Sequence, residues 1–250
     1  MRAQSLQHCL PWLMTLLALH AAAQPSVEIT VGKASPRPLF SRRDEPMVDI
    51  AKVCPGICIE MRYATERNLA GWQVYPTNAR ALIRKSVAAR LRHAQDELHK
   101  QGYGLKIWDA YRPPWAQDVL WNALPESGFL APPSRGGSYH SWGVSVDVTL
   151  VDLQGHEQKM ASGFDELTLA AKSEYVGSDP GIAQRMQTLR TAMKNAGFNG
   201  IRDEWWHFTA EDGSLFAPVD MPLEEAGKNK SRETPRDIKN PPPTPSPKKL

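Results

Sequence analysis

Residues 138–147 read Ser-Tyr-His-Ser-Trp-Gly-Val-Ser-Val-Asp, and residues 204–207 read Glu-Trp-Trp-His. Together the two segments offer two histidines and two carboxylates. Three neutral or anionic ligands with a fourth position left open are typical of a catalytic zinc site, and a spare carboxylate can take up a proton there. We therefore centre the fold and the function on these two segments.

The first segment can present its ligands by bending back on itself. Gly143 allows a tight turn, and residues 144–147 alternate apolar and polar side chains with period two, as a half-buried strand does. A hairpin bend at Gly143 would bring His140 back over Asp147. The sequence therefore predicts that a histidine and a carboxylate of one segment face each other.

The second segment has a different geometry. Glu204 and His207 lie three residues apart, so they share a face on a helical turn but not on a flat strand, and the sequence leaves both conformations open. The spacing is not that of the helical zinc-protease motif, in which two histidines stand four residues apart around a glutamate. Taken alone, each histidine is more simply a core or surface residue; the combination favours a metal site joined from distant segments.

The pattern of both segments resembles the signature of the zinc D-alanyl-D-alanine peptidases, and within them most resembles the D-alanyl-D-alanine dipeptidases of the VanX type. Two further blocks agree, Met-Arg-Tyr-Ala-Thr at 61–65 and Trp-Asp-Ala-Tyr-Arg-Pro at 108–113. The resemblance covers residues 48–215, two thirds of the chain. It departs at Trp142, where these dipeptidases usually have arginine, which leaves the fine substrate preference open.

The resemblance implies a metal site and a base. One Zn²⁺ per chain would be bound by His140, Asp147 and His207. Glu204 would accept the proton of the attacking water and pass it to the leaving amine. The implied fold is that of the zinc D-Ala-D-Ala peptidases, which is also described as hedgehog-like.

Three further residues complete the predicted site. Arg112 stands at a strand end before Pro113 and would stabilise the developing oxyanion, the alternative being a structural salt bridge to Asp109. Ser138 and Asp165 would hold the two ends of the substrate. An ordinary loop aspartate remains the alternative for Asp165.

By resemblance the substrate is D-alanyl-D-alanine or a similar short D,D-dipeptide, hydrolysed to free amino acids in cell-wall peptide turnover or salvage. Two alternatives stay open. The first is a D,D-carboxypeptidase that acts on longer peptidoglycan stem peptides. The second is a zinc-stabilised binding module without catalysis, against which Glu204 argues because a structural metal site needs no base.

Composition limits the classes of partner. The chain has 250 residues, of which 41% are hydrophobic, and a net charge of +3 that is concentrated in its two terminal regions. The body of the chain is therefore near neutral and carries no basic stripe, which argues against nucleic-acid binding. The sequence leaves the oligomeric state open.

The terminal regions predict processing and disorder. Residues 1–23 combine Arg2, an apolar run and small residues at positions 21 and 23, which is typical of a secretory signal peptide cleaved after Ala23. The run is too short for a membrane anchor, so we expect no membrane span after cleavage and a periplasmic protein. Residues 24–47 are predicted to be an extended lead-in, 48–223 the catalytic domain, and 224–250 a disordered, basic, proline-rich tail.

Two cysteines remain after signal cleavage, Cys54 and Cys58. An extended chain would separate their Cα atoms by roughly 13 Å, beyond the limit of about 7 Å for a bridge, but a turn at Pro55-Gly56 shortens that distance. In an oxidising compartment we expect a disulfide, with two free thiols as the alternative.

The remaining patterns predict an α+β domain in which a small antiparallel sheet carries the site and helices flank it. Apolar residues at helical spacing predict helices over 80–101, over 114–124 and from Asp179-Pro180 to Gly197. Strands are expected over 105–112, over 144–153 and into residues 204–208. A short strand or hairpin is expected over 48–63.

Overall fold

The computed structural model describes residues 42–124, 130–133 and 137–224. The predicted signal peptide, most of the lead-in and residues 225–250 of the tail lie outside these residues. The described part is an α+β domain, as predicted. Its strands and α-helices, in chain order, are β1 (Met47–Asp49), α1 (Ile50–Val53), β2 (Cys58–Ile59), β3 (Leu82–Arg84), α2 (Lys85–His99), β4 (Tyr103–Asp109), α3 (Pro114–Ala123), β5 (Ser145–Asp152), α4 (Pro180–Asn195), β6 (Phe198–Gly200) and β7 (His207–Ala210).

The central sheet has five strands in the order β2-β4-β5-β7-β6. Three of its four pairings are antiparallel, as predicted, and β2 pairs with β4 in parallel. The register places Asp147 of β5 opposite His207 of β7 and Ser145 opposite Thr209. A register shift in β4 between Ile107 and Asp109 adds a local irregularity beside Asp147, and such bulges often re-aim side chains next to active sites.

Strand β5 is buried on both faces. Val146, Val148 and Leu150 belong to the apolar core, while Ser145, Asp147 and Thr149 alternate with them and share the other face with Val151. Helices α2 and α4 pack on one another and against the sheet. The polar face of β5 is therefore free to carry a site while the apolar face anchors the strand.

The helix predicted over 80–101 is shorter than its apolar pattern indicates. It runs from Lys85 to His99, and Leu82–Arg84 instead forms β3, which pairs with β1. Backbone bonds outside the helix explain the difference, because the Tyr111 N–H donates to the Leu82 carbonyl and the Arg84 N–H to the Gly143 carbonyl. Tertiary pairing thus overrides the helical periodicity of these residues.

The other two helix predictions are confirmed within a residue or two. Helix α3 begins with proline at its first turn. Helix α4 begins after Asp179, whose carboxylate accepts hydrogen bonds from the N–H groups of Gly181 and Ile182, and Gly197 follows its end with a φ of +83°.

Of the short strand or hairpin expected over residues 48–63, the structure forms short strands, β1 and β2, which do not pair with each other as a hairpin. Strand β1 pairs with β3 in a separate two-stranded sheet, whereas β2 joins the edge of the central sheet next to β4. Helix α1 lies between β1 and β2 and redirects the chain. The alternation that indicated a short strand or hairpin therefore reflects short strands of two different sheets.

The disulfide predicted between Cys54 and Cys58 is not formed, and both cysteines are free. Cys54 follows α1, is buried, and donates its thiol proton to the Ala88 carbonyl of α2 at 3.3 Å. Cys58 lies in β2 opposite Lys106 and packs near Gly155. The two thiols thus belong to different packing surfaces, which is why the Pro55-Gly56 turn does not join them.

Residues 42–46, the described end of the lead-in, have no regular secondary structure but contact the domain. The Arg43 N–H donates to the Leu215 carbonyl, and the Glu45 carbonyl accepts from Arg84. Across the described ranges, no helix combines the length and the apolar composition needed to cross a bilayer.

Candidate metal centre

Seven side chains predicted for the site line a single cavity of about 250 Å³: Arg112, Ser138, His140, Asp147, Asp165, Glu204 and His207. They come from four stretches of the chain: Arg112, residues 138–147, Asp165 and residues 204–207. Strand β5 supplies Asp147 and the start of β7 supplies His207, while the other side chains come from segments outside the strands. The structure therefore brings together every site residue that the sequence indicated, while their roles remain predictions.

Three of these residues converge as a metal-binding cluster. Ligand atoms of His140, Asp147 and His207 all lie within 4.8 Å of one another. His140 Nε2 lies 3.3 Å and His207 Nδ1 3.0 Å from Asp147 Oδ1, and the two ring nitrogens are 3.1 Å apart. Two imidazoles and one carboxylate are a donor set that catalytic zinc sites use.

The bend at Gly143 positions His140 as predicted. Gly143 adopts the left-handed conformation, with φ +69°, at the end of the short 3-10 helix Tyr139–Trp142. His140 Nδ1 lies 2.6 Å from the Ala110 carbonyl. Because a carbonyl can only accept, Nδ1 carries the proton, and the lone pair of Nε2 is left for a metal.

His207 is held through Nε2, whereas His140 is held through Nδ1. Its Nε2 lies 3.1 Å from Thr209 Oγ1, and its Nδ1 faces Asp147 and His140. With the proton on Nε2, the lone pair of Nδ1 completes the three-ligand set. Both histidines thus have a protein partner on the nitrogen that points away from the cluster, which is the arrangement that metal-binding histidines need.

Asp147 is held in its ionised form. Burial alone would raise its pKa, but the charge and hydrogen bonds of His140, together with those of His207, hold the pKa well below its ordinary value. The same carboxylate raises the pKa of the His140 imidazole against the opposing effect of burial. The cluster is therefore one anion shared between two imidazoles, a charge balance that favours binding of a cation.

Glu204 lies in the turn before β7, beside the cluster but outside it. Its Oε2 is 3.9 Å from His207 Nδ1. Burial raises the pKa of this carboxyl to about 7; the proximity of His207 opposes that rise, and the negative charges of Asp147 and Asp165 add to it. A carboxyl that titrates near neutral pH suits proton transfer, because it can both accept and release a proton.

Arg112 makes the salt bridge to Asp109 that the sequence offered as an alternative, and it also lines the cavity. Its Nε and Nη2 donate to Asp109 Oδ2 at 3.1 and 2.9 Å, and its Nη1 donates to Gln117 Oε1 at 3.0 Å. The guanidinium lies 4.9 Å above the ring centre of Tyr63. These contacts fix its orientation and leave one N–H on each terminal nitrogen free of them.

Asp165 has an unusual backbone and a perturbed carboxyl. With φ +58°, it is the non-glycine residue with positive φ among the described residues. Its Oδ2 accepts a hydrogen bond from the Leu69 N–H at 2.8 Å. Burial raises its pKa to about 7; the Leu69 hydrogen bond opposes this rise and Asp147 adds to it. A strained backbone at a cavity wall is a feature of functional sites.

Ser138 precedes the 3-10 helix that carries His140. Its Oγ accepts a hydrogen bond from the His140 N–H at 3.2 Å. That bond uses the oxygen only as an acceptor, so the hydroxyl proton of Ser138 remains available to a ligand in the cavity.

Trp142, the departure from the dipeptidase pattern, is not among the described residues that line the cavity. Its ring packs edge-on against Tyr139, which does line it, with 5.0 Å between the ring centres. The side chain of Arg42 lies 5.6 Å from the centre of the indole ring. Trp142 thus contacts the lining of the cavity through Tyr139.

Sequence reasoning missed several residues that orient the site. Gln117 holds Arg112 and donates to the Ala131 carbonyl, and Tyr75 donates its hydroxyl proton to Asp109 at 3.0 Å. Thr209 holds His207. Strand periodicity could have indicated Thr209, since residues two apart on a strand share a face; no local signal pointed to Gln117 or Tyr75.

Comparison with known proteins gives a consistent family. The model of the family described as Peptidase_M15, D-ala-D-ala dipeptidase, matches residues 43–224. The D-alanyl-D-alanine dipeptidase of Escherichia coli is 39% identical over 163 residues, which cover 65% of this chain and 83% of that protein. The protein of the same name from Enterococcus faecalis is 34% identical over 63% of this chain and 87% of its own length. The one from Streptomyces coelicolor is 30% identical over 65% of this chain and 90% of its own length.

Proposed function

This chain belongs to the D-Ala-D-Ala dipeptidase family of the M15 peptidases, as its motifs predicted, and we propose that it is a zinc-dependent hydrolase that cleaves D-alanyl-D-alanine to free D-alanine. One observation supports the proposal above all. The three metal-ligand atoms and the Glu204 carboxyl, whose pKa is near 7, face a single small cavity.

Zinc fits the donor set because both histidines are held with the nitrogen that faces the cluster free. We propose one ion per chain, bound by His140, Asp147 and His207. When bound, zinc polarises a carbonyl oxygen and lowers the pKa of water. The protein's part is to keep the three ligands converged in a largely buried position.

Glu204 acts as the general base. Its carboxyl stands within reach of the cluster and is not needed as a ligand. It takes a proton from the attacking water and gives it to the leaving amine. Because its pKa is about 7, the carboxyl can both accept a proton and release it near neutral pH, as the two transfers require.

Arg112 stabilises the negative charge that develops on the attacked carbonyl oxygen. Asp109 and Gln117 bind three of its five N–H groups, so the remaining two stay directed by a rigid frame. A preoriented donor of this kind costs no reorganisation in the transition state.

Asp165 and Ser138 hold the two ends of the dipeptide. The Asp165 carboxyl, whose pKa of about 7 leaves it about half protonated at neutral pH in the free protein, ionises when it meets the substrate's ammonium group. The Ser138 hydroxyl donates to the carboxylate end. A cavity of about 250 Å³ is smaller than the range of roughly 300–1,000 Å³ typical of drug-sized ligands, which supports a short substrate.

The site of action is outside the cytoplasm. This part of the proposal is supported only by the sequence of residues 1–23, and it suits recovery of wall-derived dipeptides. N-terminal sequencing of the exported protein should begin at Gln24. A strain that lacks the gene should grow poorly on D-alanyl-D-alanine as a nitrogen source; unchanged growth would contradict the salvage role.

The activity is tested with the purified chain from residue 24 to 250, stripped of metal and then titrated with zinc. We expect D-alanyl-D-alanine hydrolysis that requires zinc, and little release of D-alanine from a stem pentapeptide. Efficient trimming of the pentapeptide would instead favour a carboxypeptidase. A folded, zinc-loaded protein that cleaves neither would favour a binding module.

A further inference from the structure

The metal ligands and a pair of hydroxyl groups form two adjacent rungs between β5 and β7. In the antiparallel register, Asp147 pairs with His207, and two residues along, Ser145 pairs with Thr209. Because side chains two residues apart share a face, the hydroxyl rung lies directly beside the metal rung. We call the Ser145–Thr209 pair the hydroxyl rung and the Asp147–His207 pair the metal rung.

The hydroxyl rung is connected to the metal rung by a chain of hydrogen bonds. His207 Nε2 lies 3.1 Å from Thr209 Oγ1, and Thr209 Oγ1 lies 2.6 Å from Ser145 Oγ. Ser145 is fully buried. The second partner of Thr209 is therefore another protein hydroxyl, which keeps both groups in place.

The two metal-binding histidines differ in what fixes their protons. The partner of His140 is the Ala110 carbonyl, which can only accept, so His140 has one possible tautomer there. The partner of His207 is a hydroxyl, which can accept or donate. In addition, His207 Nδ1 lies 3.0 Å from the Asp147 carboxylate, which would accept a proton on that nitrogen. Without a directing group, His207 could hold its proton on the nitrogen that the metal needs.

We propose that the hydroxyl rung fixes the metal-binding tautomer of His207. Thr209 Oγ1 accepts a hydrogen bond from the Nε2–H of His207, and the Thr209 hydroxyl donates a hydrogen bond to Ser145 Oγ. The hydrogen bonds then run in one direction from His207 to Ser145, and Nδ1 is left with a free lone pair. Thr209 is thus a positioning residue that acts through His207 and touches neither substrate nor metal.

The chain offers a matched pair of substitutions at this position. Thr209→Val keeps the branched shape, including the methyl group that packs near Gly213, and removes the acceptor. Thr209→Ser keeps the acceptor and removes the methyl group. If the hydroxyl group matters, Thr209→Val must bind zinc more weakly than Thr209→Ser. If packing of the methyl group matters, Thr209→Ser must bind zinc more weakly.

Zinc affinity is the readout, measured by competition with a chromophoric chelator on residues 24–250. Loss of an outer-shell partner typically costs about 10- to 100-fold in metal affinity. We expect a loss of that size for Thr209→Val, a change of less than about threefold for Thr209→Ser, and an intermediate loss for Ser145→Ala. In zinc-loaded wild type and Thr209→Ser, the His207 Nε2 proton should exchange slowly by NMR, and in Thr209→Val it should exchange fast.

The proposal rests on the metal site of the proposed function but not on its substrate, so the two can fail separately. Wild-type protein that binds no zinc would overturn both. Wild type and Thr209→Val that bind zinc equally, or Thr209→Ser that loses as much as Thr209→Val, would overturn the hydroxyl rung alone. Unfolding of the apoproteins checks that the variants fold. If Thr209→Val does not, unchanged zinc affinity of Ser145→Ala would overturn the proposal.

Discussion

The charged side chains of the cavity form two groups, which we call the floor and the wall. They differ in whether burial or the neighbouring charges determine the direction of the pKa shift. The floor consists of Arg112, His140, Asp147 and His207, and the wall carries Glu204 and Asp165. On the floor, burial opposes both pKa shifts, but the charge and hydrogen bonds of His140 and His207 keep the Asp147 pKa well below its ordinary value. Electrostatic interactions with Tyr63 and Asp109 keep the Arg112 pKa well above its ordinary value. On the wall, burial prevails and raises the pKa of both carboxyls to about 7.

This difference assigns roles to three carboxyl groups that lie in one cavity. A carboxylate that stays charged at every working pH suits a metal ligand, whereas a carboxyl near its midpoint suits proton transfer or capture of an ammonium group. Titratable groups whose environments push their pKa values apart are a guide to acid and base assignments. The sequence offers three equivalent acids, and burial with partners distinguishes them.

The largest expected effect is that of Glu204→Gln, which removes the base from the wall and leaves the floor intact. General acid–base groups typically contribute about 10²- to 10⁴-fold in rate. We expect kcat for D-alanyl-D-alanine to fall by that factor, with zinc content unchanged by metal analysis. Glu157→Gln, at a carboxylate outside the cavity, is the control and should keep its activity. Loss of zinc in Glu204→Gln would show that Glu204 belongs to the floor.

The next effect is that of Arg112→Lys, which keeps the charge of the floor but not its geometry. Lysine cannot reproduce the fork that binds Asp109 and Gln117. Loss of one oxyanion donor typically costs about 10²- to 10³-fold in kcat, and we expect that loss with a smaller change in KM.

Arg84→Lys is the matched control for Arg112→Lys. Arg84 is also buried, and it donates to the carbonyls of Trp142, Glu45 and Ala217, away from the cavity. We expect Arg84→Lys to lower the melting temperature while kcat stays near the wild-type value. Equal loss of kcat in both variants would mean that Arg112 is only a structural ion pair.

A third effect concerns the pH dependence of stability at the wall. The folded-state pKa of Asp165, about 7, lies above the ordinary value of 3.8. The protonated carboxyl is therefore favoured by folding, and this stability is lost as pH rises through 7. Asp165→Asn stays neutral and suits a positive φ. By urea unfolding of the apoprotein, we expect the variant to match wild type below about pH 4 and to exceed it by about 4 kcal/mol above pH 7, because the pKa differs by about 3 between the folded and unfolded states and each pKa unit corresponds to about 1.4 kcal/mol.

Asp179→Asn is the control of opposite sign. Hydrogen bonds from the helix α4 N–H groups of Ile182 and Gly181 lower the Asp179 pKa against a small effect of burial. The free energy of unfolding of wild type should therefore rise relative to that of Asp179→Asn as pH rises through 4. A stability difference between Asp165→Asn and wild type that does not vary with pH would contradict the neutral state of Asp165.

The smallest effect is that of Ser138→Ala. Ser138 Oγ accepts the His140 N–H, and loss of such a cap typically costs about 1 kcal/mol. We expect a slightly lower melting temperature and, if Ser138 holds the substrate carboxylate, a raised KM. Unchanged KM with the lower melting temperature would restrict Ser138 to the capping role.

Features that depend on neighbouring residues could be predicted from the sequence, and features that depend on contacts between distant segments could not. Gly143, the alternating strand after it and the Glu-Trp-Trp-His motif are local signals, and they correctly indicated that His140 lies over Asp147. The two-sheet arrangement of residues 47–59 and the shortened start of α2 depend on pairing with distant strands, which periodicity does not encode. The free thiols of Cys54 and Cys58 likewise follow from packing against α2 and β4.

The pKa values of the wall could not be read from the sequence either. Glu204 and Asp165 acquire them because the fold buries both carboxyls near Asp147, and this proximity arises from segments about 20 to 60 residues apart. The motifs thus indicated Glu204 and Asp165 as site residues, whereas their pKa values follow from their burial in the folded protein.

The most direct test of the account is a zinc titration in which bound metal and turnover of D-alanyl-D-alanine are measured in the same samples of wild type and Asp147→Asn. We predict that wild-type turnover rises in proportion to bound zinc and saturates at one ion per chain, while Asp147→Asn neither retains zinc nor turns over substrate. Full turnover by the metal-free wild type, or a zinc-loaded and active Asp147→Asn, would contradict it.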